Sequence, residues 1–321
     1  MEMEILIRFT AIKSRNQHYP KFFRQEIAKQ LSLNLKNNNN MEVFYDKKSF
    51  SEFINTQKLQ SKTIGFAPTM GALHAGHISL YQEARKDNDT VISSIFVNPT
   101  QFNNPEDLEK YPRTVEDDIK KLESSKLVDA VYIPRVEDIY PKGMERQHYD
   151  FGGIENEMEG AARPGHFDGV GTVVEELFLQ VQPDNAYFGE KDFQQLKIIE
   201  KLVELSEMNI KIHGVKIHRE ENGLAMSSRN MRLSETERET SALIYQTLKR
   251  VNEWFRVISV PEIKTRVEEI FDKENMDLEY FMIAEESTLK EVDFFSADDD
   301  FRAFIVVNVG TVRLIDNLHL D

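Results

Sequence analysis

The sequence predicts an α/β fold: a parallel sheet wound with helices, then a smaller α+β domain. Three observations carry this. From residue 41 to about 217, short apolar runs alternate with helix-length amphipathic segments. Two of the runs lead through glycine-containing turns into helical patterns. Beyond residue 218 the order changes to helices followed by strands. Alternation implies βαβ units, whereas helices followed by strands imply a separate antiparallel layer.

Residues 1–40 stand apart. They are locally basic (Arg8, Lys13, Arg15, Lys21, Arg24, Lys29, Lys36), carry apolar residues at near-helical spacing over 21–33, and end in four asparagines. Asn side chains compete for backbone hydrogen bonds, so the run should not extend a helix. The stretch reads as a dispensable extension, flexible or partly helical, with a partner-binding basic tail as the alternative. Within 41–217, strands are expected at 63–67, at the β-branched run 91–97, at the weaker runs 129–133 and 185–188, and at the alternating 210–217. Helices are expected at 77–86, 115–126, 170–181 and 192–207. In 218–321, Ser234 and Glu237 form a capping box that opens a helix to about 252. Pro261 suits the first turn of another helix, 261–275, and strands follow at 278–284, 302–309 and 311–315.

Composition narrows the function classes. The chain has 321 residues, enough for about two domains. Its 40 Lys and Arg against 55 Asp and Glu leave a formal charge of −15, which opposes long-range attraction to nucleic acid or anionic lipid. There is no cysteine, so disulfides, thiolate nucleophiles and Cys-based metal sites are excluded. No apolar run approaches the ~18 residues of a membrane span, and the acidic start reads poorly as a signal peptide. A cytoplasmic protein is expected, with no nucleic-acid or membrane partner.

Four segments carry chemistry. The first, Gly65-Phe-Ala-Pro-Thr-Met-Gly-Ala-Leu-His-Ala-Gly-His77, follows a strand and enters a helix, where parallel sheets bind ligands. Free amides and the helix dipole favour an anion there. His74 and His77, three apart, share a face of the first turn and can donate to phosphate oxygens as charge builds on phosphorus. The plain alternative is a helix cap with two solvated histidines; a metal site lacks a third ligand nearby. The second is Gly189-Glu-Lys-Asp-Phe-Gln-Gln195, again between strand and helix. Lys191 would set an ammonium beside an anion, Asp192 could cap the helix or accept from a ribose hydroxyl, and Gln195 lies one turn on; a surface turn is the alternative. The third, Met226-Ser-Ser-Arg229, follows Gly223 and reads as a triphosphate clamp or a polar linker. The fourth, Asn98-Pro-Thr-Gln101, offers amides to a hydroxyl or carboxylate. Asp117 and Asp118 can hold Mg²⁺ or complement a helix dipole. Arg163-Pro-Gly-His-Phe167 is a lid or a turn.

From about residue 41 to the end, these segments resemble the pantoate–β-alanine ligase family in order and spacing. The matching motifs are Pro68–His77, Phe96–Phe102, Tyr111–Thr114, Arg163–Phe167, Phe188–Asp192 and Met226–Asn230. The His-x-Gly-His element is also similar to the signature of nucleotidylyltransferases and class I aminoacyl-tRNA synthetases. The resemblance implies a Rossmann-like domain at 41–217, a smaller lid domain at 218–321, and a homodimer. It implies ATP-dependent amide synthesis: pantoate captures the α-phosphorus of ATP to give pantoyl adenylate, and β-alanine displaces AMP to give pantothenate, a coenzyme A precursor.

By motif, Met70, Gly71, Ala72, Leu73, His74, Ala75, Gly76 and His77 would contact ATP, with His77 in the proton-donor position. Gly189, Glu190, Lys191, Asp192, Met226, Ser227, Ser228 and Arg229 would also bind it, and the backbone at His218 or Arg219 would touch adenine. His77, His74, Lys191 and Arg229 would act on the phosphates. Gln101 and Gln195 would hold pantoate, Gln101 staying near β-alanine. Asp117 and Asp118 match the Mg²⁺ region. Residues 1–40 have no counterpart, Phe193 stands where Tyr is common, and Met231-Arg232 replaces an aromatic-containing pair. A transferase acting on a phosphate ester would need a cationic acceptor site, where Gln101 and Gln195 stand instead. A non-catalytic nucleotide sensor would lack one of the phosphate contacts, yet all are present.

Overall fold

A computed structural model describes residues 41–102 and 105–321. The expectations for 1–40 lie outside the described residues. Met41–Asp321 forms one compact unit with two sheets. In chain order the first part runs β1 (Glu42–Phe44), α1 (Lys47–Leu59), β2 (Ile64–Thr69), α2 (Ala75–Asp87), β3 (Thr90–Ile95), α3 (Pro105–Lys110), α4 (Val115–Ser125), β4 (Ala130–Tyr132), α5 (Val136–Ile139), α6 (Met158–Ala162), α7 (His166–Val181), β5 (Asn185–Gly189), α8 (Phe193–Leu205) and β6 (Lys211–Val215). The second runs α9 (Glu235–Thr240), α10 (Ala242–Trp254), α11 (Val260–Lys273), β7 (Asp277–Glu285), β8 (Phe301–Val309) and β9 (Val312–Leu320).

The six strands β1–β6 form one parallel sheet in the order β1-β4-β3-β2-β5-β6. Helices cover both faces, so every residue of β3 is buried. One face packs Phe50, Phe66 and Phe178, and Phe50 stacks on Tyr132 with centroids 4.1 Å apart. The other packs Leu73, Tyr81, Leu122 and Val131. The antiparallel sheet β7-β8-β9 has its own core against α10 and α11, built on Ile244, Val267, Phe271 and Ile305.

The chain leaves β2 for β3 on one side, while β5 pairs with β2 on the other. The sheet therefore reverses its order between β2 and β5. Their carboxyl ends, Thr69 and Gly189, flank the crevice where such sheets receive ligands.

The expected elements are present with shifts of a few residues, and β1, α1 and the short helices α3, α5 and α6 are additions to them. The single helix expected from Ser234 to about 252 is divided at Ser241. The Ser241 hydroxyl donates to the Glu237 carbonyl at 2.6 Å, and such back-bonding competes with the regular ladder. The last strand extends to Leu320 because β8 offers a full-length edge to pair with.

Candidate active site

Three turns meet at the reversal point and line one open cleft of about 1050 Å³. That exceeds the roughly 300–1,000 Å³ usual for one small ligand. Met70, His74, Gly76 and His77 come from the turn after β2; Gly189, Lys191 and Asp192 from the turn after β5; His218 and Met226–Arg229 from the segment after β6. Gln101 and Gln195 also line it. Gly71, Ala72, Leu73, Ala75 and Glu190 do not.

The reason for the first exclusions is Asp118. Gly71 and Ala72 adopt positive φ of 82° and 50°, which turns the next amides away from the cleft. Ala72 N–H and Leu73 N–H donate to the two Asp118 carboxylate oxygens at 2.9 and 2.7 Å, and the Thr114 hydroxyl adds a third bond at 3.0 Å. Asp118 is fully buried. Asp117 points outward and pairs with Lys120 at 3.2 Å. The acidic pair is thus a correction to the expected magnesium site: one carboxylate is spent on backbone amides, and the other lies on the surface. Among the described residues no group of three or more His, Asp or Glu could hold a metal ion.

The two histidines are set by backbone. His74 is the N-cap of α2, extended at φ −136°, and its Nδ1 accepts from Gly76 N–H at 3.2 Å. His77 returns the bond, its Nδ1 accepting from His74 N–H at 3.2 Å. A backbone N–H can only donate, so both Nδ1 atoms carry lone pairs and both neutral rings carry their proton on Nε2. Burial pushes His77 down to about 3, helped by the neighbouring His74, Lys121 and Lys191. Burial, then Lys191 and His218, pushes His74 down to about 4. At neutral pH the cleft holds two uncharged N–H donors at a helix N-terminus.

The other turns close around them. Lys191 is largely buried, with its ammonium 4.0 Å from Asp192. A Cβ placed on Gly76 would sit 3.5 Å from Met226 Cβ, so the third segment lies against the first. The Ser227 hydroxyl caps Arg229 N–H at 3.2 Å. Burial raises the pKa of the Tyr111 hydroxyl, and the Arg229 charge and a hydrogen bond with Ser228 oppose the rise. Arg219 anchors the segment: it binds Asp316 through two nitrogens at 2.6 and 3.0 Å and lies 3.6 Å over the Tyr245 ring.

Gln101 is buried and held from behind. Asn98 donates to its Oε1 at 3.1 Å and is itself fixed by Tyr140, whose hydroxyl donates to Asn98 Oδ1 at 2.6 Å. The Gln101 NH₂ group is thereby aimed at Met70 Sδ, 3.2 Å away, at the cleft wall. The segment 163–167 is a buttress here: Arg163 and His166 both donate to the Gln101 carbonyl, each at 2.9 Å. Sequence reasoning missed this role, along with Asn317 and the Arg313–Glu159 pair at 2.7 Å that ties β9 to α6. Their partners lie 62 to 154 residues away, so no local pattern could signal them.

His166 gives a stability prediction. Burial first, then Arg163, pushes it down to about 4. Above about pH 6.5 it is neutral folded and unfolded. As pH falls from 6.5 towards 4, the unfolded chain takes up a proton that the folded one refuses, so stability is lost across that window. By pH 5 this group should cost on the order of 2 kcal/mol. His166→Asn should flatten the fall in urea-unfolding free energy between pH 7 and 5. An unchanged slope would refute it.

The fold and cleft define a doubly wound α/β protein with an anion-ready helix N-terminus at its reversal point. Comparison narrows the class. The family model described as pantoate–β-alanine ligase matches residues 42–319, and the chain belongs to that family of amide-forming ligases. It is 49% identical over 281 residues to a pantothenate synthetase of Flavobacterium psychrophilum, covering 87% of this chain and 100% of the relative. It is 48% identical over 282 residues to that of Christiangramia forsetii, covering 88% and 100%. The solved pantothenate synthetase of Thermus thermophilus superimposes with a TM-score of 0.78 at 38% identity, covering 87% and 99%. The pantoate–β-alanine ligase of Francisella tularensis, solved in complex with β-γ ATP and β-alanine, superimposes with a TM-score of 0.72 at 38% identity, covering 87% and 97%.

Proposed function

We propose that the chain joins pantoate to β-alanine through a pantoyl adenylate formed in this cleft. In the first step a pantoate carboxylate oxygen attacks the α-phosphorus of ATP. The bond from that phosphorus to the bridging oxygen breaks, and pyrophosphate leaves with the electron pair. In the second, the β-alanine amine attacks the activated carbonyl carbon, AMP leaves, and the surplus amine proton passes to solvent. No covalent enzyme intermediate is needed, which suits a chain without cysteine. Catalysis is then positioning and charge stabilisation.

The observation that carries the reading is the pair of Nε2–H donors of His74 and His77, fixed at the start of α2 in the cleft that Lys191 also lines. In this reading neutral imidazoles donate to the phosphates, while Lys191 and Arg229 supply the positive charge. Ser227, Ser228, Gly189 and Asp192 complete the nucleotide site, with the backbone at His218 beside adenine. Gln101 and Gln195 hold pantoate. Neutral amides there favour a hydroxy acid over a phosphate-ester acceptor, which would call for cations. Magnesium would arrive as the counter-ion of ATP. The family resemblance further supports a homodimer, a cytoplasmic location, and closure of 218–321 as a lid over 41–217. No described helix is long and apolar enough to cross a membrane.

The deciding experiment is exchange of labelled pyrophosphate into ATP without β-alanine. Exchange that requires pantoate supports the adenylate; its absence in an otherwise active enzyme overturns it. Gln101→Ala should raise the KM for pantoate about tenfold, the loss of one buried hydrogen bond to a charged group, and leave that for ATP within about twofold. Equal loss of both would remove Gln101 from the pantoate site.

A further inference from the structure

We propose that Asn317, on β9 of the C-terminal sheet, is a positioning residue that sets the Lys191 turn for adenylate formation. Its NH₂ group donates to two successive carbonyls, Glu190 O and Lys191 O, each at 2.9 Å. Its Oδ1 accepts from Arg302 Nη1 at 2.7 Å. The orientation is chemically forced: a flipped amide would set oxygen against two carbonyls and NH₂ against a guanidinium. Asn317 is 2% exposed, so neither proton has water as an alternative partner.

Arg302 is itself held. Its Nε donates to Glu286 at 2.7 Å, its guanidinium stands 3.8 Å over the Phe193 ring, and its Nη1 lies 3.8 Å from the Glu190 carboxylate. The residue before Asn317 is Asp316, the buried partner of Arg219. Two adjacent residues of one strand therefore fix two of the three turns that line the cleft. Asp316 holds the root of the Met226–Arg229 segment, and Asn317 holds the backbone of Lys191. The turn after β5 is a short 3₁₀ turn from Glu190 to Asp192 whose N-terminus has no side-chain cap of its own. Its carbonyls are satisfied from the other sheet. The ammonium of Lys191 is then aimed by a clamp 126 residues away, and the C-terminal sheet reports its position directly to the nucleotide side of the cleft.

This inference rests on the reading that Lys191 serves the ATP phosphates, and the test separates the two. Asn317→Asp keeps the shape and the bond to Arg302 but removes both donors. Asn317→Ala removes them while sparing the two carbonyls a buried like charge, and serves if the aspartate fails to fold. Pantoate-dependent pyrophosphate exchange should fall about 10- to 100-fold, as for a small misplacement of a catalytic group. The second step, assayed from supplied pantoyl adenylate, should stay within about threefold. The same substitution in a Lys191→Ala background should cost less than about threefold, because there is no ammonium left to aim. Equal losses with and without Lys191, or equal losses in the two steps, would reduce Asn317 to a structural role and overturn the proposal. If Lys191→Ala alone leaves exchange intact, the underlying reading of Lys191 fails instead.

Discussion

Replacing His77 with alanine lowers adenylate formation about 10²-fold or more, the scale of losing one preorganised donor to a developing anion. Two functions are lost at once in that variant. His77 Nδ1 caps the His74 amide, and its Nε2–H is the donor offered to phosphate. A cap is worth about 1 kcal/mol of stability, and a frayed α2 would also misplace His74. His77→Asn separates the two, because an Asn oxygen falls near the Nδ1 position while nothing reaches Nε2. The expected result is near-native melting with turnover still down about 10²-fold. Native turnover in His77→Asn would show that the ring matters only as a cap. Because burial holds His77 down to about 3, the donor is the neutral ring, and the rate of the first step should show no fall as pH rises through 6 to 7. A fall across that range would assign the work to an imidazolium.

Lys191→Ala is the second large effect. The Lys191 side chain is 16% exposed and stands beside neutral imidazoles, so its charge is only partly screened by water. Its loss should reduce pyrophosphate exchange about 10²- to 10³-fold and spare the attack of β-alanine on supplied adenylate. Lys191→Arg should recover only part of the rate, since a planar fork does not replace a compact point charge. A variant that slowed only the second step would place Lys191 at the carbonyl, not at the phosphates.

Much of the cleft is legible in the sequence because its parts are local. Two of the binding turns join a strand to a helix, and glycine, histidine or lysine at that junction signals its chemistry in about ten residues; the third is a Met-Ser-Ser-Arg run that its residue types alone mark. Asp117 and Asp118 mislead because the same pattern serves two purposes. Two acids in the first turn of a helix suit a cation and equally suit the dipole or a neighbouring amide, and only the depth of Asp118 separates them. The Arg163–Phe167 segment is ambiguous for a related reason: its target is a single backbone carbonyl, at Gln101, which carries no sequence signal.

The sequence alone determined the alternation of strands and helices, the three turns, and the residue types that meet a phosphate, since these follow from short-range periodicity and backbone chemistry. Tertiary structure decided which ring nitrogen carries the proton, which carboxylate is unavailable, and that Asp316 and Asn317 hold two turns of the cleft from another sheet. Those depend on burial and on contacts across 97 and 126 residues of chain, and a chain's order along its length does not encode distance in space.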